Sequence, residues 1–137
     1  MPFNTSNFNL KWVSERLEDS AITFAEDFGQ HLCDLQSGRP GRMALTTSQI
    51  RNFFGEVKRI QAKGFEKQRT SFLLIRPKLA YAEARVLAKN RDSRISDFRK
   101  IMELAHSAVR TEEQFQNFVD LLEATLAYHK FYGGRDQ

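Results

Sequence analysis

The stretch LTTSQIRNFFGEVKRIQAKG, residues 45–64, carries the start, the middle and the end of one amphipathic helix. Thr46 and Gln49 have the spacing of a capping box, in which each side chain bonds the backbone amide of the other residue. After them, apolar residues recur every three or four positions, the period of a buried helix face: Ile50, Phe53, Phe54, Val57 and Ile60. Gly64 is a typical residue at a helix C-terminus. The stretch therefore predicts a helix whose phenylalanine side packs into a core.

The same spacing extends along the chain on both sides of this helix, whereas the strict alternation typical of half-buried strands is absent. Before it, we predict an N-terminal helix over residues 12–36 and a loop over residues 37–45, because that loop opens with the breaker run SGRPG. After it, Pro77 indicates a new helix start, since proline disfavours helical backbone at the preceding residue. The helical core, residues 46–132, is predicted to hold segments at 46–63, 66–75, 77–89, 94–109 and 111–132.

The predicted fold is therefore all-α: a single compact bundle of about five to six helices, forming one domain over residues 1–137. A second capping-box pattern, Thr111 followed by Gln114, supports the start of the last helix. That length is typical of one domain, and 41% hydrophobic residues are enough for a core without staples.

Charge is distributed unevenly along the chain. The formal net charge is only +4, but residues 1–38 carry 2 basic and 6 acidic side chains, a charge of −4. Residues 39–100 carry 16 basic and 5 acidic side chains, a charge of +11, and residues 101–137 carry 3 and 6, a charge of −3. Such segregation indicates an anionic partner for the middle of the chain.

Several classes of protein are excluded by composition. A single cysteine, Cys33, rules out an internal disulfide framework and suits a reducing compartment. No secretory signal is visible, and no apolar run approaches the ~18 residues needed to cross a bilayer. We therefore predict a cytoplasmic protein with no membrane partner.

Motifs for catalysis or metal binding are weak. Glu103 and His106 have the E-x-x-H spacing of di-iron bundles, but His31 and His129 have no glutamate three residues before them, so the second half of such a site is missing. We interpret His106 as a solvated or capping histidine and Cys33 as a buried or half-buried thiol. The chain also lacks a nucleophile elbow and a phosphate-binding loop. We predict no enzyme activity, no catalytic or metal residue and no cofactor, with a di-metal helical enzyme as the most remote alternative.

The basic middle offers a more specific site. Cations recur at helical spacing on two predicted helices, so that each set shares a face that could follow a sugar-phosphate backbone. The residues predicted to bind nucleic acid are Arg51, Lys58, Arg59, Lys63, Arg76, Lys78, Arg85 and Lys89. Arg76 stands just before the predicted helix start, where it can reach over the helix end. A solvated charged face, or an adaptor whose basic surface meets an acidic protein partner, stays open as the alternative.

Most of the 12 phenylalanines fall on the apolar stripes, which indicates core packing and not base stacking. Tyr81, beside the basic face, and Tyr128 and Tyr132 near the C-terminus are the possible exceptions.

Three segments resemble the small subunit of the type III-A CRISPR Csm effector complex. They are LTTSQIRNFF at residues 45–54, RPKLAYAEAR at residues 76–85 and LEATLAYHKFYGG at residues 122–134. The resemblance covers about residues 44–134, and residues 1–40 match only as an expected extra N-terminal helix.

The resemblance implies a non-catalytic subunit of an RNA-guided antiviral defence complex. Copies of such subunits stack in an inner filament beside other Csm subunits and contact the duplex of guide RNA and target RNA, mainly at the target strand. A homodimer is a further possibility. Of the basic residues, Arg51, Arg76, Lys78 and Arg85 lie in the matching motifs.

The resemblance also implies structural roles near the C-terminus. Tyr128 and Phe131 are expected to pack in the bundle, and the two glycines at residues 133–134 to stop the last helix. Glu83 departs from the small residue expected there, and we expect it to reduce local RNA affinity without changing the fold.

Overall fold

The computed structural model describes residues 3–133, and in that range the chain forms six α-helices and one small hairpin. The helices and strands are α1 Lys11–Ser14, α2 Asp19–Leu32, β1 Leu35–Gln36, β2 Arg39–Pro40, α3 Thr47–Lys63, α4 Arg69–Lys89, α5 Ile95–Ser107 and α6 Glu112–Phe131. Short 3₁₀ turns at Thr5–Asn7 and Phe65–Gln68 complete the regular structure of the described residues. The prediction of an all-α bundle of five to six helices is confirmed.

The predicted helix signals at α3 are present in full. The Thr46 hydroxyl accepts from the Gln49 amide at 3.2 Å, and the Gln49 side chain accepts from the Thr46 amide at 2.8 Å. Gly64 ends the helix with a φ of 100°, in the region that favours glycine. α6 starts at an equivalent capping box of Thr111 and Gln114. Local sequence alone therefore determines where these two helices begin.

A continuous aromatic core runs through the bundle. Phe53 meets Phe98 and Phe118 edge-on, and Phe118 is in turn edge-on to Phe72. These ring pairs tie α3, α4, α5 and α6 together, and such arrangements add to the free energy gained from burial alone. The predicted stripe of α3 is buried as expected, apart from the half-buried Phe54.

The single helix predicted over residues 12–36 is wrong. The chain forms α1, an irregular segment and then α2, because side chains of α6 take the backbone carbonyls that a continuous helix would use. Asn117 Nδ2 donates to the Val13 carbonyl at 3.0 Å, and Gln114 Nε2 donates to the Ser14 carbonyl at 3.0 Å. Both contacts come from about a hundred residues away in sequence, so local periodicity could not reveal them.

The expectation of no strands fails at one small place, where the end of the predicted N-terminal helix meets the predicted loop. β1 and β2 pair antiparallel, with Leu35 opposite Pro40, across a two-residue turn. Ser37 and Gly38 both have positive φ, 53° and 79°, as a type I′ hairpin turn requires. The breaker run thus forms an ordered turn.

The helix start predicted at Pro77 is also wrong, since α4 continues through that proline. Pro77 has no amide hydrogen for the Leu73 carbonyl, which normally costs a helix about 3 kcal/mol. On either side of it, Phe72, Ile75 and Leu79 are buried along one face. This shared burial outweighs the backbone preference and keeps the helix continuous.

Candidate nucleic-acid interface

A groove with a volume of about 780 Å³ lies between α3 and α4. Its floor is apolar and includes Phe53, Leu79 and Phe98. One end is bounded by Arg42, after the hairpin, and by Asn90, after α4. We call this feature the α3–α4 groove.

Three cations of α4 line one wall of the groove. Lys78, Arg85 and Lys89 are spaced by seven and four residues, so they lie on one side of the helix, and all three are exposed. At 1.5 Å per residue, they are separated by about 10 Å and about 6 Å along the helix axis. The predicted clustering of these three residues on one face therefore agrees with the geometry of α4.

Arg42 adds a fourth cation that sequence reasoning did not include in the site. Its Nη1 donates to Asn90 Oδ1 at 3.0 Å, and Asn90 Nδ2 donates to the Arg42 carbonyl at 2.8 Å. This reciprocal pair holds Arg42 at the end of the groove. The positive charge of the loop was visible in the sequence, but its position next to Asn90 depends on a contact 48 residues apart.

Glu56 is an acidic residue in the groove wall, and two of the predicted cations bind it. Arg59 Nη2 lies 2.7 Å and Lys78 Nζ 3.4 Å from Glu56 Oε2. The hydrogen bond from Arg59 and the nearby Lys78 hold the pKa of Glu56 below its usual value, against the opposing effect of burial. Arg85 makes a cation–π contact with Tyr81, with its guanidinium carbon 5.9 Å from the ring centroid. Lys89 makes no ion pair within residues 3–133.

The remaining α3 cations lie outside the groove lining. Arg51 is exposed, Lys63 is exposed at the C-terminal end of α3, and Lys58 lies with its Nζ 5.7 Å from the Phe54 ring centroid. They belong to the same basic half of the molecule but do not line the groove wall formed by α4.

Arg76 is placed differently from the prediction. Because α4 does not restart at Pro77, Arg76 is an internal residue of the helix and has no helix end to reach over. Two residues separate it from Lys78, which is a rotation of about 200° around the helix axis. Arg76 therefore lies on the side of α4 opposite the groove.

The histidines are structural. His106 is 6% exposed, its Nε2 lies 2.7 Å from the Phe72 carbonyl, and its ring stacks on Phe72 with 4.0 Å between centroids. The interpretation of His106 as solvated or capping was therefore wrong. His129 is fully buried with its Nε2 2.6 Å from the Leu45 carbonyl. Burial lowers the pKa of both rings, although their carbonyl partners oppose the shift.

Glu103 and His106, the pair behind the remote di-metal alternative, are each bound to other groups. Glu103 Oε2 is bound by Arg99 Nη1 at 2.9 Å, and His106 is committed to the Phe72 carbonyl. Among residues 3–133, no three histidine, cysteine or acidic side chains are grouped as a metal site would need. Cys33 is fully buried, as predicted, and burial raises the pKa of its thiol to about 11.

One expectation drawn from the motifs is wrong and another stays a prediction. Glu83 forms an ion pair with Arg99 that links α4 to α5, and the expectation that Glu83 reduces local RNA affinity stays a prediction. Phe131 was expected to pack in the bundle, but it is 74% exposed. Tyr128 does pack against the core. Gly133 stops the last helix with a φ of 99°, whereas residue 134 lies outside the described residues.

The fold and the site together define a small helical bundle with a groove lined by cations. No helix among residues 3–133 is long and apolar enough to cross a membrane. A family model described as Csm2 Type III-A matches residues 17–135. The chain belongs to this family, the small subunit of the type III-A CRISPR Csm complex.

Searches of curated proteins and of solved structures returned no match. The family is a structural component of the Csm complex and is not known for catalysis. Because this chain belongs to the family, it assembles with other Csm subunits. The resemblance found in the three sequence segments is confirmed, and the family match extends further toward the N-terminus, through α2.

Proposed function

We propose that this chain is a non-catalytic RNA-binding subunit of a cytoplasmic type III-A interference complex. Copies stack in the inner filament, and the α3–α4 groove contacts the duplex of guide RNA and target RNA, mainly at the target strand. The observation that carries the proposal is the row of Lys78, Arg85 and Lys89 along one groove wall. Arg42 extends this row at one end of the groove.

Binding through this row is sequence-independent in physical terms. Lysine and arginine contacts to phosphates release counterions whatever the base sequence is. In an RNA-guided complex, pairing between guide and target carries the sequence information, so the protein needs only backbone contacts. Low affinity of one subunit is compatible with function, because several copies on one RNA bind multivalently.

The decisive experiment compares the salt dependence of RNA binding in two triple variants. Lys78→Glu, Arg85→Glu and Lys89→Glu reverse the groove wall. Lys11→Glu, Arg16→Glu and Arg110→Glu make the same change in net charge at exposed positions outside the basic middle. Binding of the isolated chain to a labelled single-stranded RNA is measured by fluorescence anisotropy from low to moderate salt.

We expect the wild-type affinity to fall steeply with salt. The groove variant should lose most of its affinity, and its slope of log affinity against log salt should be smaller by about 2, since three contacts to single-stranded RNA are lost. The control triple should show a much smaller change. An equal loss in both variants would mean that net charge alone acts, and the groove would then not be the site.

The adaptor alternative makes a different prediction. If the groove variant binds RNA normally but no longer co-purifies with the other Csm subunits, the groove is a protein-docking surface and the RNA proposal is wrong.

A further inference from the structure

α4 presents a third face that neither the core nor the groove uses. Seven residues at spacings of one, three or four positions lie there, and all of them are exposed. We call them the α4 stripe: Leu73, Leu74, Pro77, Ala80, Tyr81, Ala84 and Ala88. Leu73 is 64% and Tyr81 66% exposed; they lie about two helical turns apart on this face, and such exposure is unusual for large apolar side chains on one helix. A contiguous apolar face of this kind is typical of a protein-docking surface.

The charges around the α4 stripe are positive. Arg76 flanks one edge and Arg85 the other, and both are exposed. The single acidic residue of α4, Glu83, is bound to Arg99 and does not offset them. A partner for this surface must therefore offer apolar side chains together with carboxylates.

The same chain carries a surface of that chemistry on α2. Ile22 is 40% exposed, and Glu18, Asp19 and Glu26 lie four before, three before and four after it, on the same side of the helix. We call these four residues the α2 patch. α2 contains no lysine or arginine. Arg16 meets Glu18 at 3.9 Å, but both side chains are largely exposed, so this pair is weak and exchangeable.

The two surfaces belong to different parts of the bundle. α2 packs mainly on α6, whereas α4 packs on α3 and α5. Glu18, Asp19 and Ile22 of the α2 patch and all residues of the α4 stripe are exposed on the same copy, while Glu26 is half-buried and accepts a hydrogen bond from the Tyr132 hydroxyl at 2.6 Å.

We propose that the α4 stripe of one copy docks on the α2 patch of the next copy. Leu73 and Tyr81 pack around Ile22, while Arg76, which does not line the groove, faces the carboxylates of the patch. Because the two surfaces differ, the contact is heterologous and leaves one free surface at each end, so it generates an open series of copies and not a closed dimer. The inference rests on the proposed function only for the stacking of copies and does not depend on RNA binding.

The test measures self-association of the full chain by sedimentation velocity over a wide range of protein concentration. We expect the average mass of the wild type to rise with concentration beyond that of a dimer. The double variant Leu73→Ser and Tyr81→Ser, and separately Ile22→Lys, should each weaken association by about tenfold or more, because apolar anchors dominate such contacts. Leu104→Ser, which removes a 38% exposed leucine of α5 outside both surfaces, is the matched control and should leave association unchanged.

A charge swap tests the pairing of the two surfaces directly. Arg76→Glu should weaken association, and Glu18→Lys in the same chain should restore it, since each copy then presents reversed charges on both surfaces. Glu18 makes no side-chain cap bond to α2, so its replacement does not remove a helix cap. Circular dichroism and thermal unfolding confirm that each variant is folded, and any variant that fails this check is replaced by Ile22→Ser or Leu73→Ser alone.

Three results would overturn the inference: a wild type that stays monomeric at all concentrations, a series that stops at the dimer, or stripe variants that associate normally. If the stripe variants associate normally but lose RNA affinity, the α4 stripe belongs to the RNA site. Failure of the proposed function is distinguishable, since it shows as normal RNA binding by the groove variant, whatever the association does.

Discussion

α2 and α6 approach each other closely, whereas α3 and α4 leave a groove between them. At the crossing of α2 and α6, a Cβ on Gly29 would lie only 2.7 Å from the His129 backbone nitrogen and 2.8 Å from Tyr128 Cβ. Between α3 and α4 there is instead a groove of about 780 Å³ with Lys78, Arg85 and Lys89 on its wall. The first pair contains the acidic α2, and the second pair contains most of the basic residues proposed to bind RNA.

Different helix pairs therefore stabilise the bundle and present the cations proposed to bind RNA. The close pair uses a missing side chain to bring two backbones into contact, which leaves no room for a ligand. The open pair keeps long cationic side chains apart and solvated, which gives little to stability but leaves them available to an anion. Substitutions in the two pairs should therefore have opposite consequences.

The largest loss of stability is expected at Asp34, where the close pair is joined to the rest of the fold. This buried carboxylate accepts from Arg94 Nη2 at 3.0 Å and from the Met43 amide at 2.9 Å. Burial alone would raise the pKa of Asp34, but these donors lower it below its usual value. Asp34→Ala leaves Arg94 without its partner and should cost about 3–5 kcal/mol in the free energy of unfolding, measured with urea. Asp92→Ala, an exposed acid 4.0 Å from Arg42, is the control and should change little.

A pair of glycine substitutions tests the comparison directly. Gly29→Ala forces the two backbones apart and should destabilise the protein by about 2–3 kcal/mol. Gly55 lies at an exposed position of α3, and no atom lies within 4 Å of the place its Cβ would take. Gly55→Ala should therefore stabilise the protein by about 0.5–1 kcal/mol. Thermal and urea unfolding of both variants measure the difference. If Gly29→Ala is as stable as the wild type, the close contact of α2 and α6 is not required.

The buried histidines predict a loss of stability in mild acid. Burial lowers the pKa of His106 and His129 in the folded state, so only the unfolded chain takes up these protons near its ordinary pKa of 6.5. The free energy of unfolding is therefore fully present above about pH 6.5 and falls as the pH drops below it. Below that pH, each proton that only the unfolded chain binds lowers the free energy of unfolding by about 1.4 kcal/mol per pH unit.

Urea unfolding at a series of pH values measures this effect, and His106→Gln, whose side-chain amide can still donate to Phe72, is the diagnostic variant. Its stability should depend less on pH than that of the wild type. An unchanged pH profile would show that His106 does not carry the effect. The lowered pKa of Asp34 acts at a lower pH, below its usual value of 3.8, and does not interfere.

The smallest effect on stability is expected in the groove. Arg85→Gln and Lys89→Gln remove exposed cations that make no ion pair within residues 3–133, so the free energy of unfolding should change by less than about 0.5 kcal/mol. The same variants should bind single-stranded RNA more weakly than the wild type. A clear loss of stability on either change would show that the cations help to hold the bundle together.

Much of this molecule follows from local sequence. The capping boxes at Thr46 and Thr111 locate the starts of α3 and α6, because a cap depends on residues three positions apart. The row of Lys78, Arg85 and Lys89 also follows from helical spacing. α4 begins earlier than the predicted helix 77–89, but this does not change the positions of the three residues relative to one another.

Other features depend on contacts between distant residues. Asn117 and Gln114 interrupt the first helix from the other end of the chain, and no local pattern contains that information. Arg42 reaches the groove only through Asn90, and Arg76 leaves it only because buried neighbours carry α4 through Pro77. His106 looks like a metal ligand or a solvated residue until the Phe72 carbonyl is placed against it.

Periodicity, caps and charge along the chain thus determine the class of fold and the basic character of its middle, whereas the family is indicated by the resemblance of three segments and shown by the family match. Periodicity and caps are local signals, and a helix face or a helix start is specified by residues that are close together in the sequence. The tertiary structure alone decides which faces are left open, which histidines are neutral and buried, and which cations share a groove. These properties depend on burial and on the pairing of polar groups between helices, where side-chain packing outweighs the preference of any single residue.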